Sequence, residues 1–230
     1  MPPALEHALT ATARPQTELA RLGIIGAGKL GLALARAALA AGYEVAVSGS
    51  GDADRIALQV DVLAPGATAM TTDDVVAFAD TIILAVPMHR FRELGPDLFD
   101  GKLLIDAMNY WPDTDGEDPT LSDTATGTSS VVQAHFPRAR VVKGLNQLGY
   151  HELDEYPRAP ISHDRIAIAA AGNDQLAVRI AMHLIDKLGF DPVDAGPRQR
   201  PAPRARRLPL RHDLHRPELK HQLAAASNGT

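Results

Sequence analysis

The chain alternates short, almost continuously apolar runs with longer segments in which apolar residues recur every three or four positions. Runs of the first kind predict strands that are buried on both faces, and segments of the second kind predict the helices that cover them. Eight strands are predicted, at residues 22–25, 44–48, 67–70, 81–86, 102–106, 140–143, 165–170 and 192–194. Strands that alternate with helices are typical of α/β proteins with a mostly parallel sheet.

The predicted helices have recognisable starts, apolar faces and ends. They are expected after the first strand, from about residue 52, after Thr72, at Ser129 or Ser130, and over residues 175–188. In the first helix one face carries Leu30, Leu34, Ala38 and Ala41. In the last helix the predicted apolar stripe is Leu176, Ile180, Leu184 and Leu188. Gly42 and Gly189 follow these two helices, in the position where a glycine commonly ends a helix.

A glycine pattern lies between the first strand and the first helix. Gly26, Gly28 and Gly31 form G-x-G-x-x-G. In this context the first glycine makes a tight turn, the second lets the backbone approach a pyrophosphate, and the third lets the helix pack on the strand. Unpaired N–H groups at the start of the helix then hold the anion. The pattern predicts a doubly wound, mostly parallel Rossmann sheet with helices on both faces, which binds a dinucleotide.

Three regions follow from this interpretation. Residues 1–20 are expected to be a flexible extension, residues 21–197 the NAD(P)-binding domain, and residues 198–230 a short irregular tail rich in proline and arginine. The spacing of His212 and His215 in this tail resembles a metal motif, but no carboxylate or helical frame accompanies it. We therefore predict no metal site.

Composition narrows the class of protein. The 45% hydrophobic content allows a full core, and the absence of cysteine rules out disulfides, thiolate metal sites and a cysteine nucleophile. A formal charge of -5 argues against nucleic acid as a partner. The longest apolar run, residues 81–87, is far shorter than the roughly 20 residues that span a bilayer. We therefore expect a cytoplasmic protein with no membrane partner.

Residues after the second strand bear on the choice between NAD and NADP. NAD enzymes usually place a carboxylate there, whereas this chain has Ser50, with Arg55 about one helical turn later. A serine hydroxyl and an arginine suit a 2′-phosphate, which favours NADP. Asp52 competes, because it would serve a ribose hydroxyl, but we expect it in the cap or first turn of the next helix. Alternatively, Arg55 is simply a solvated charge on that helix.

Further polar and aromatic residues follow the fourth, fifth and sixth strands. Val86 and Pro87 lie where a nicotinamide would lie in this fold, and the other candidates on the same edge are Ala107, Asn109 and Gly144. His89 either contacts substrate or is an ordinary surface residue, and Tyr110 with Trp111 either line a flat ring or cover the core. No acid–base pair or nucleophile relay emerges, so we predict no catalytic side chain. Hydride transfer between two cofactors needs orientation and exclusion of water, which a cleft provides.

The ordered motifs together resemble the NADPH-dependent reductases of the deazaflavin coenzyme F420. These motifs are residues 23–31, Gly49-Ser50, Val86-Pro87, 142–146 and 194–197. The resemblance implies reversible hydride transfer between C4 of nicotinamide and C5 of the deazaflavin. It places the pyrophosphate at Ala27, Gly28, Lys29 and Leu30, the 2′-phosphate at Ser50, the nicotinamide beside Val86-Pro87, and a backbone contact at Gly144. The resemblance implies that the partners of the protein are small-molecule redox cofactors. Whether the protein forms a homodimer is left open.

The chain departs from this family in two places. Gly51 stands where the family usually has an arginine that grips the phosphate, so NADP preference depends on Arg55. The tail after Pro197 is basic, where the family continues with an apolar segment. Two other functions remain open: an NADP-dependent reductase of a small molecule such as a hydroxy acid or imine, and a non-catalytic dinucleotide-sensing module.

Overall fold

A computed structural model of the chain describes residues 20–122, 127–197 and 218. The elements in chain order are β1 (Arg21–Ile25), α1 (Lys29–Ala40), β2 (Glu44–Ser48), α2 (Asp54–Leu63), β3 (Thr68–Ala69), α3 (Thr72–Phe78), β4 (Thr81–Leu84), a 3-10 helix (Met88–Glu93), β5 (Leu103–Asp106), α4 (Pro112–Asp115), α5 (Pro119–Ser122), α6 (Thr128–His135), β6 (Arg140–Lys143), α7 (Glu152–Glu155), β7 (Ala167–Gly172), α8 (Gln175–Lys187) and β8 (Asp191–Gly196). Within the described residues, each of the eight predicted strands has a counterpart.

All eight strands form one sheet, in the order β3-β2-β1-β4-β5-β6-β7-β8. The strands β1 to β6 pair in parallel, β7 runs antiparallel to β6, and β8 is parallel to β7. The order 3-2-1-4-5-6 belongs to the doubly wound dinucleotide fold, whose ligand crevice lies where the order reverses, between β1 and β4. The predicted fold class is therefore confirmed.

Apolar side chains fill two cores, one on each face of the sheet. Successive strand residues point to opposite faces, so Ile24 belongs to the core under α1, α2 and α8, while Ile25 belongs to the core under α3 and α6. The second core also contains three fully buried phenylalanines, at positions 91, 99 and 136. Helices on both faces explain why the strand sequences show no alternation of apolar and polar residues.

Two local predictions about helices were wrong. Of the predicted stripe in α8, Leu184 and Leu188 are buried and Ile180 is partly buried against the same core. Leu176 is instead 52% exposed, because the buried face begins one position later, at Ala177. The residues on this buried face are Ala177, Val178, Ala181, Leu184 and Ile185. Asp52 is neither cap nor first-turn residue of α2, because Ala53 holds the cap position and the helix begins at Asp54. The Asp52 carbonyl instead accepts a hydrogen bond from Arg55 N at 3.2 Å.

The predictions for the two ends of the chain lie almost wholly outside the described residues. Of the extension at 1–20 only Ala20 is described, and of the tail at 198–230, including His212 and His215, only Glu218 is described. The three predicted regions therefore stay predictions. Among the helices that are described, none has both the length and the apolar character needed to cross a membrane.

Candidate functional site

The turn between β1 and α1 is shaped by two glycines that no other residue can replace without strain. Gly26 has a φ of +122°, a region that residues with a side chain rarely adopt, and a Cβ there would lie 2.4 Å from Ala85 O. A Cβ on Gly31 would lie 1.8 Å from Gly26 O, so α1 packs directly on the turn. Gly26 N also donates to Ser48 O at 2.8 Å, which joins the turn to the end of β2.

Gly28, between these two, faces open space. A Cβ at Gly28 would meet no described atom within 4 Å, and its φ of -78° is available to any residue. Gly28 is the N-cap of α1, and no side chain of a described residue caps the helix there. The backbone N–H groups of the first turn are thus left for a ligand, in a place where the helix dipole favours negative charge. This corner fits a diphosphate, both in space and in chemistry.

A side chain that the sequence analysis missed supports the turn from α2. Gln59 Nε2 donates a hydrogen bond to Ala27 O at 3.0 Å. Gly49, which follows β2, lies between the turn and α2, since a Cβ there would lie 2.7 Å from the side chain of Ile56 and 3.8 Å from Ala27 Cβ. Since the turn carbonyl at Ala27 is bonded by Gln59, the peptide that follows it has a fixed orientation. No sequence signal marks Gln59, because its role depends on how α2 lies against the turn.

The predicted 2′-phosphate residues lie in the turn after β2 and in the first turn of α2. Ser50 and Arg55 are both exposed. Gly51 has a φ of +88°, and a Cβ there would lie 3.3 Å from Arg55 Nη1. The guanidinium of Arg55 therefore folds back over Gly51, the position at which an arginine is expected from the resemblance. Asp52 is also exposed in this turn.

The remaining candidates follow β4, β5 and β6. They therefore lie together at the edge of the sheet that is formed by the carboxyl ends of its parallel strands. Leu84, Asp106 and Lys143 are register partners, so the residues that follow them are neighbours. Val86 is partly buried and Pro87 is exposed, whereas Ala107 is fully buried and lies beneath the accessible surface. A Cβ on Gly144 would meet no described atom closer than 3.8 Å, so nothing in the described chain itself requires glycine at this position.

A buried ion pair holds this edge together. Asp106 is fully buried, accepts hydrogen bonds from Ser129 Oγ at 2.6 Å and Met108 N at 3.0 Å, and lies 3.3 Å from Lys143 Nζ. Lys143 also donates to the Met108 carbonyl. Because a buried charge is tolerated only when it is paired and hydrogen-bonded, this cluster keeps the backbone at the ends of β5 and β6 in one arrangement.

The side chain of His89 is bonded to the carboxylate of Asp115. Its Nδ1 lies 2.8 Å from Asp115 Oδ1, and its backbone N–H donates to the same oxygen. Burial raises the pKa of Asp115, but hydrogen bonds from Trp111 N and from His89 outweigh it and lower the pKa below its ordinary value. These bonds fasten the segment around α4 to the 3-10 helix. Trp111 itself is 48% exposed beside this segment.

Side chains that could bind a metal ion do not form a ligand set among the described residues. Across residues 20–122 and 127–197, no three histidine, aspartate or glutamate side chains lie together in an arrangement that would hold a metal ion. The polar groups of the edge are backbone amides, asparagine amides and the paired charges already described. Such groups bind and orient a ligand, and they exclude water from it when it is in place.

The sheet order, the glycine turn and the open helix start are those of the dinucleotide-binding domain of NAD(P)-dependent oxidoreductases. Residues 21–110 match the family model described as NADP oxidoreductase, coenzyme F420-dependent. This match confirms the resemblance inferred from the sequence. No curated protein matches the chain.

Solved structures show the same similarity over a longer part of the chain. A hypothetical protein from Sinorhizobium meliloti is 28% identical with a TM-score of 0.68, over 78% of this chain and 86% of that one. A protein assigned as an F420-dependent NADP reductase, from Arthrobacter sp. FB24, is 25% identical with a TM-score of 0.68, over 82% and 90%. An imine reductase from Pseudomonas sp. shares only the fold, at 16% identity and a TM-score of 0.54, over 78% and 56%. Together with the geometry of the site, these similarities indicate that the protein is an NAD(P)-dependent oxidoreductase.

Proposed function

We propose that the protein transfers hydride between NADP(H) and the deazaflavin coenzyme F420 or a similar flat redox cofactor. The proposal rests on a contrast within the glycine turn. A Cβ at Gly26 or Gly31 would collide with the protein's own backbone, whereas the space above Gly28 is unfilled by any described atom within 4 Å. The match to F420-dependent NADP oxidoreductases, which includes this turn, supports the choice of electron partner. NADPH would supply a hydride from C4 of its nicotinamide to C5 of the deazaflavin, and with one proton from water this would give NADP⁺ and the reduced deazaflavin.

The chain's own residues would bind and orient the two ligands. Amides at Ala27, Gly28, Lys29 and Leu30 would hold the diphosphate, with Gly31 keeping the helix close behind them. Val86 and Pro87 would cover one side of the nicotinamide, and Asn109 and Gly144 lie across the same edge. No side chain is required as an acid, because hydride moves directly between two carbon atoms held in contact. The homodimer and the cytoplasmic location stay predictions.

Selectivity for NADP would come from Arg55 together with Ser50. The Arg55 guanidinium lies over Gly51, close to the turn where the 2′-substituent of a dinucleotide lies in this fold. A guanidinium presents several N–H donors to a phosphate, and a neighbouring hydroxyl adds another. Arg55 would thus take over the contact that an arginine at position 51 would make.

The reaction is tested by mixing NADPH with oxidised F420 and following the absorbance of both. Turnover supports the proposal. Tight NADPH binding without turnover of F420 or of simple imines and keto acids would instead favour a dinucleotide sensor. Turnover of an imine or keto acid in place of F420 would identify a small-molecule reductase.

Selectivity is tested separately with Arg55→Ala. We expect the Kd of NADP⁺ to rise about 10-fold or more, because a hydrogen bond to a charged group contributes about 1.5 kcal/mol or more, while the Kd of NAD⁺ stays within about twofold. Arg21→Ala is the matched control, since Arg21 begins β1 at the opposite edge of the sheet. Equal weakening of both dinucleotides would remove Arg55 from the phosphate site.

A further inference from the structure

One residue at the edge of the sheet has an unusual backbone conformation. Leu145 has a φ of +61°, and among the described residues it is the one non-glycine residue with a positive φ. It is also completely buried. A leucine keeps such a conformation only when the surrounding structure holds it there, and such residues cluster at ligand sites. Here the left-handed turn directs the next residue, Asn146, toward the end of β5.

Asn146 forms a reciprocal pair with Asn109. Asn109 Nδ2 donates to the backbone carbonyl of Asn146 at 2.8 Å, and Asn146 Nδ2 donates to Asn109 Oδ1 at 3.1 Å. The first bond fixes which way the Asn109 amide faces, because only its nitrogen can donate to a carbonyl. The Asn109 oxygen must then face Asn146, so Asn146 must present its own nitrogen to it. The orientation of both amides follows from these bonds.

This arrangement leaves one buried acceptor unused. Asn146 Oδ1 is buried and has no hydrogen-bond partner among the described residues. Buried polar atoms in folded proteins nearly always have a partner, so an orphaned acceptor at a ligand edge indicates a donor that arrives with the ligand. The neighbouring amide differs, since Gln147 Oε1 already accepts a hydrogen bond from Ala169 N at 3.1 Å.

The same loop reaches from the edge of the sheet to the diphosphate turn. Tyr150 lies at its far end, with the Lys29 ammonium 5.3 Å from the centre of its ring. Lys29 is the first residue of α1, directly after Gly28. A dinucleotide held at Gly28 would therefore run alongside the loop that carries Asn146, with its nicotinamide toward the ends of β4 and β5.

We propose that Asn146 Oδ1 accepts an amide N–H of a redox ring bound at this edge, and so selects rings that carry such a group. Two rings could supply it: the carboxamide of nicotinamide and the ring imide of a deazaflavin. The inference rests on the proposed function for the presence of these rings. It assigns Asn146 a specificity role, for which the Asn109 amide and the left-handed turn at Leu145 are the positioning elements.

The test compares ligands that have the N–H with ligands in which a methyl group replaces it. Calorimetric titration measures the Kd of NADP⁺ against its 3-acetylpyridine analogue, and the Kd of F420 against its N3-methyl derivative. For the ring that Asn146 contacts, we expect the wild type to bind the N–H ligand about 5- to 10-fold more tightly, because the methyl ligand leaves the buried oxygen unpaired. Asn146→Ala should reduce this ratio to within about twofold of unity, and Gln147→Ala should leave it unchanged.

Each outcome decides the inference. If the ratio of the two Kd values depends on Asn146 for NADP⁺ and its analogue (the dinucleotide arm), the carboxamide is the donor. If it depends on Asn146 for F420 and its N3-methyl derivative (the deazaflavin arm), the ring imide is the donor. If the wild type binds the N–H ligand and the methyl ligand equally well in both arms, the inference is overturned. It is also overturned if the wild type prefers the N–H ligand and this preference persists in Asn146→Ala. In these two cases turnover of NADPH with F420 by the wild type shows that the proposed function still stands. If the wild type binds neither ligand, both are wrong.

Discussion

Replacing Gly28 and Gly31 by alanine adds the same methyl group at two positions of one turn, with opposite expected consequences. At Gly31 the added Cβ would lie 1.8 Å from Gly26 O, so either the helix or the turn must move. At Gly28 it would meet no described atom within 4 Å, and the backbone conformation there suits alanine. Gly31→Ala should therefore affect folding, and Gly28→Ala should affect binding.

The magnitudes follow from these contacts. Overpacking of this kind costs about 1–3 kcal/mol or more, and a domain of this size loses about 2–4 °C in Tm per kcal/mol, so Gly31→Ala should lower the Tm by at least a few degrees. Gly28→Ala should change the Tm little, because the stabilisation of about 0.4–1 kcal/mol that alanine gives by restricting the unfolded chain is offset by the poorer fit of alanine at an N-cap. Loss of even one charge-assisted hydrogen bond to the diphosphate, about 1.5–3 kcal/mol, weakens NADP⁺ about 10- to 150-fold.

Thermal unfolding without ligand and calorimetric titration with NADP⁺ measure the two effects independently. We expect Gly28→Ala to unfold close to the wild-type temperature and to bind NADP⁺ at least 10-fold more weakly. Wild-type affinity in a folded Gly28→Ala protein would show that the space above this residue is not used by the diphosphate. A Gly31→Ala protein as stable as the wild type would refute the packing role assigned to this glycine.

Two further predictions concern residues around the site. Gln59→Ala should raise the Kd of NADP⁺ about 2- to 10-fold in titrations, because the Ala27 carbonyl loses a hydrogen bond contributing about 0.5–1.5 kcal/mol; an unchanged Kd would mean that the turn keeps its shape unaided. Hydrogen bonds from Thr120 and Arg92 hold the pKa of Asp118 well below its usual range. Because the folded-state pKa is the lowered one, this stabilisation is fully present above the unfolded pKa of about 4 and is lost as the pH falls on through the folded pKa. Asp118→Asn should thus lower the Tm at pH 7, and the difference from the wild type should shrink progressively as the pH is lowered from about 4 toward about 2. A difference that stays constant over that range would contradict the assignment.

The parts of the site that could be predicted are those whose geometry is local. The glycine turn carries its conformational demands within six residues, so Gly26 and Gly31 could be assigned their roles before any fold was known. The strands were predictable because both faces of the sheet are covered, which makes each strand an unbroken apolar run. The short helices α4, α5 and α7 were not predicted, since four residues make only about one helical turn and show no repeat of an apolar position.

The rest depends on contacts between segments far apart in the chain. Gln59 reaches Ala27 only because α2 lies against the turn, and no pattern around residue 59 signals this. Asn146 meets Asn109 because Leu145 adopts a left-handed conformation that its residue type disfavours. Leu176 was misplaced because a stripe spaced by four residues is also compatible with a face rotated by one position.

The central claim is that a diphosphate lies against the bare amides at the start of α1. A crystal structure with NADP⁺ tests it most directly. We predict density for the diphosphate within hydrogen-bonding distance of the backbone N–H groups that follow Gly28. A dinucleotide bound elsewhere, or an empty turn in crystals at saturating NADP⁺, would contradict the account.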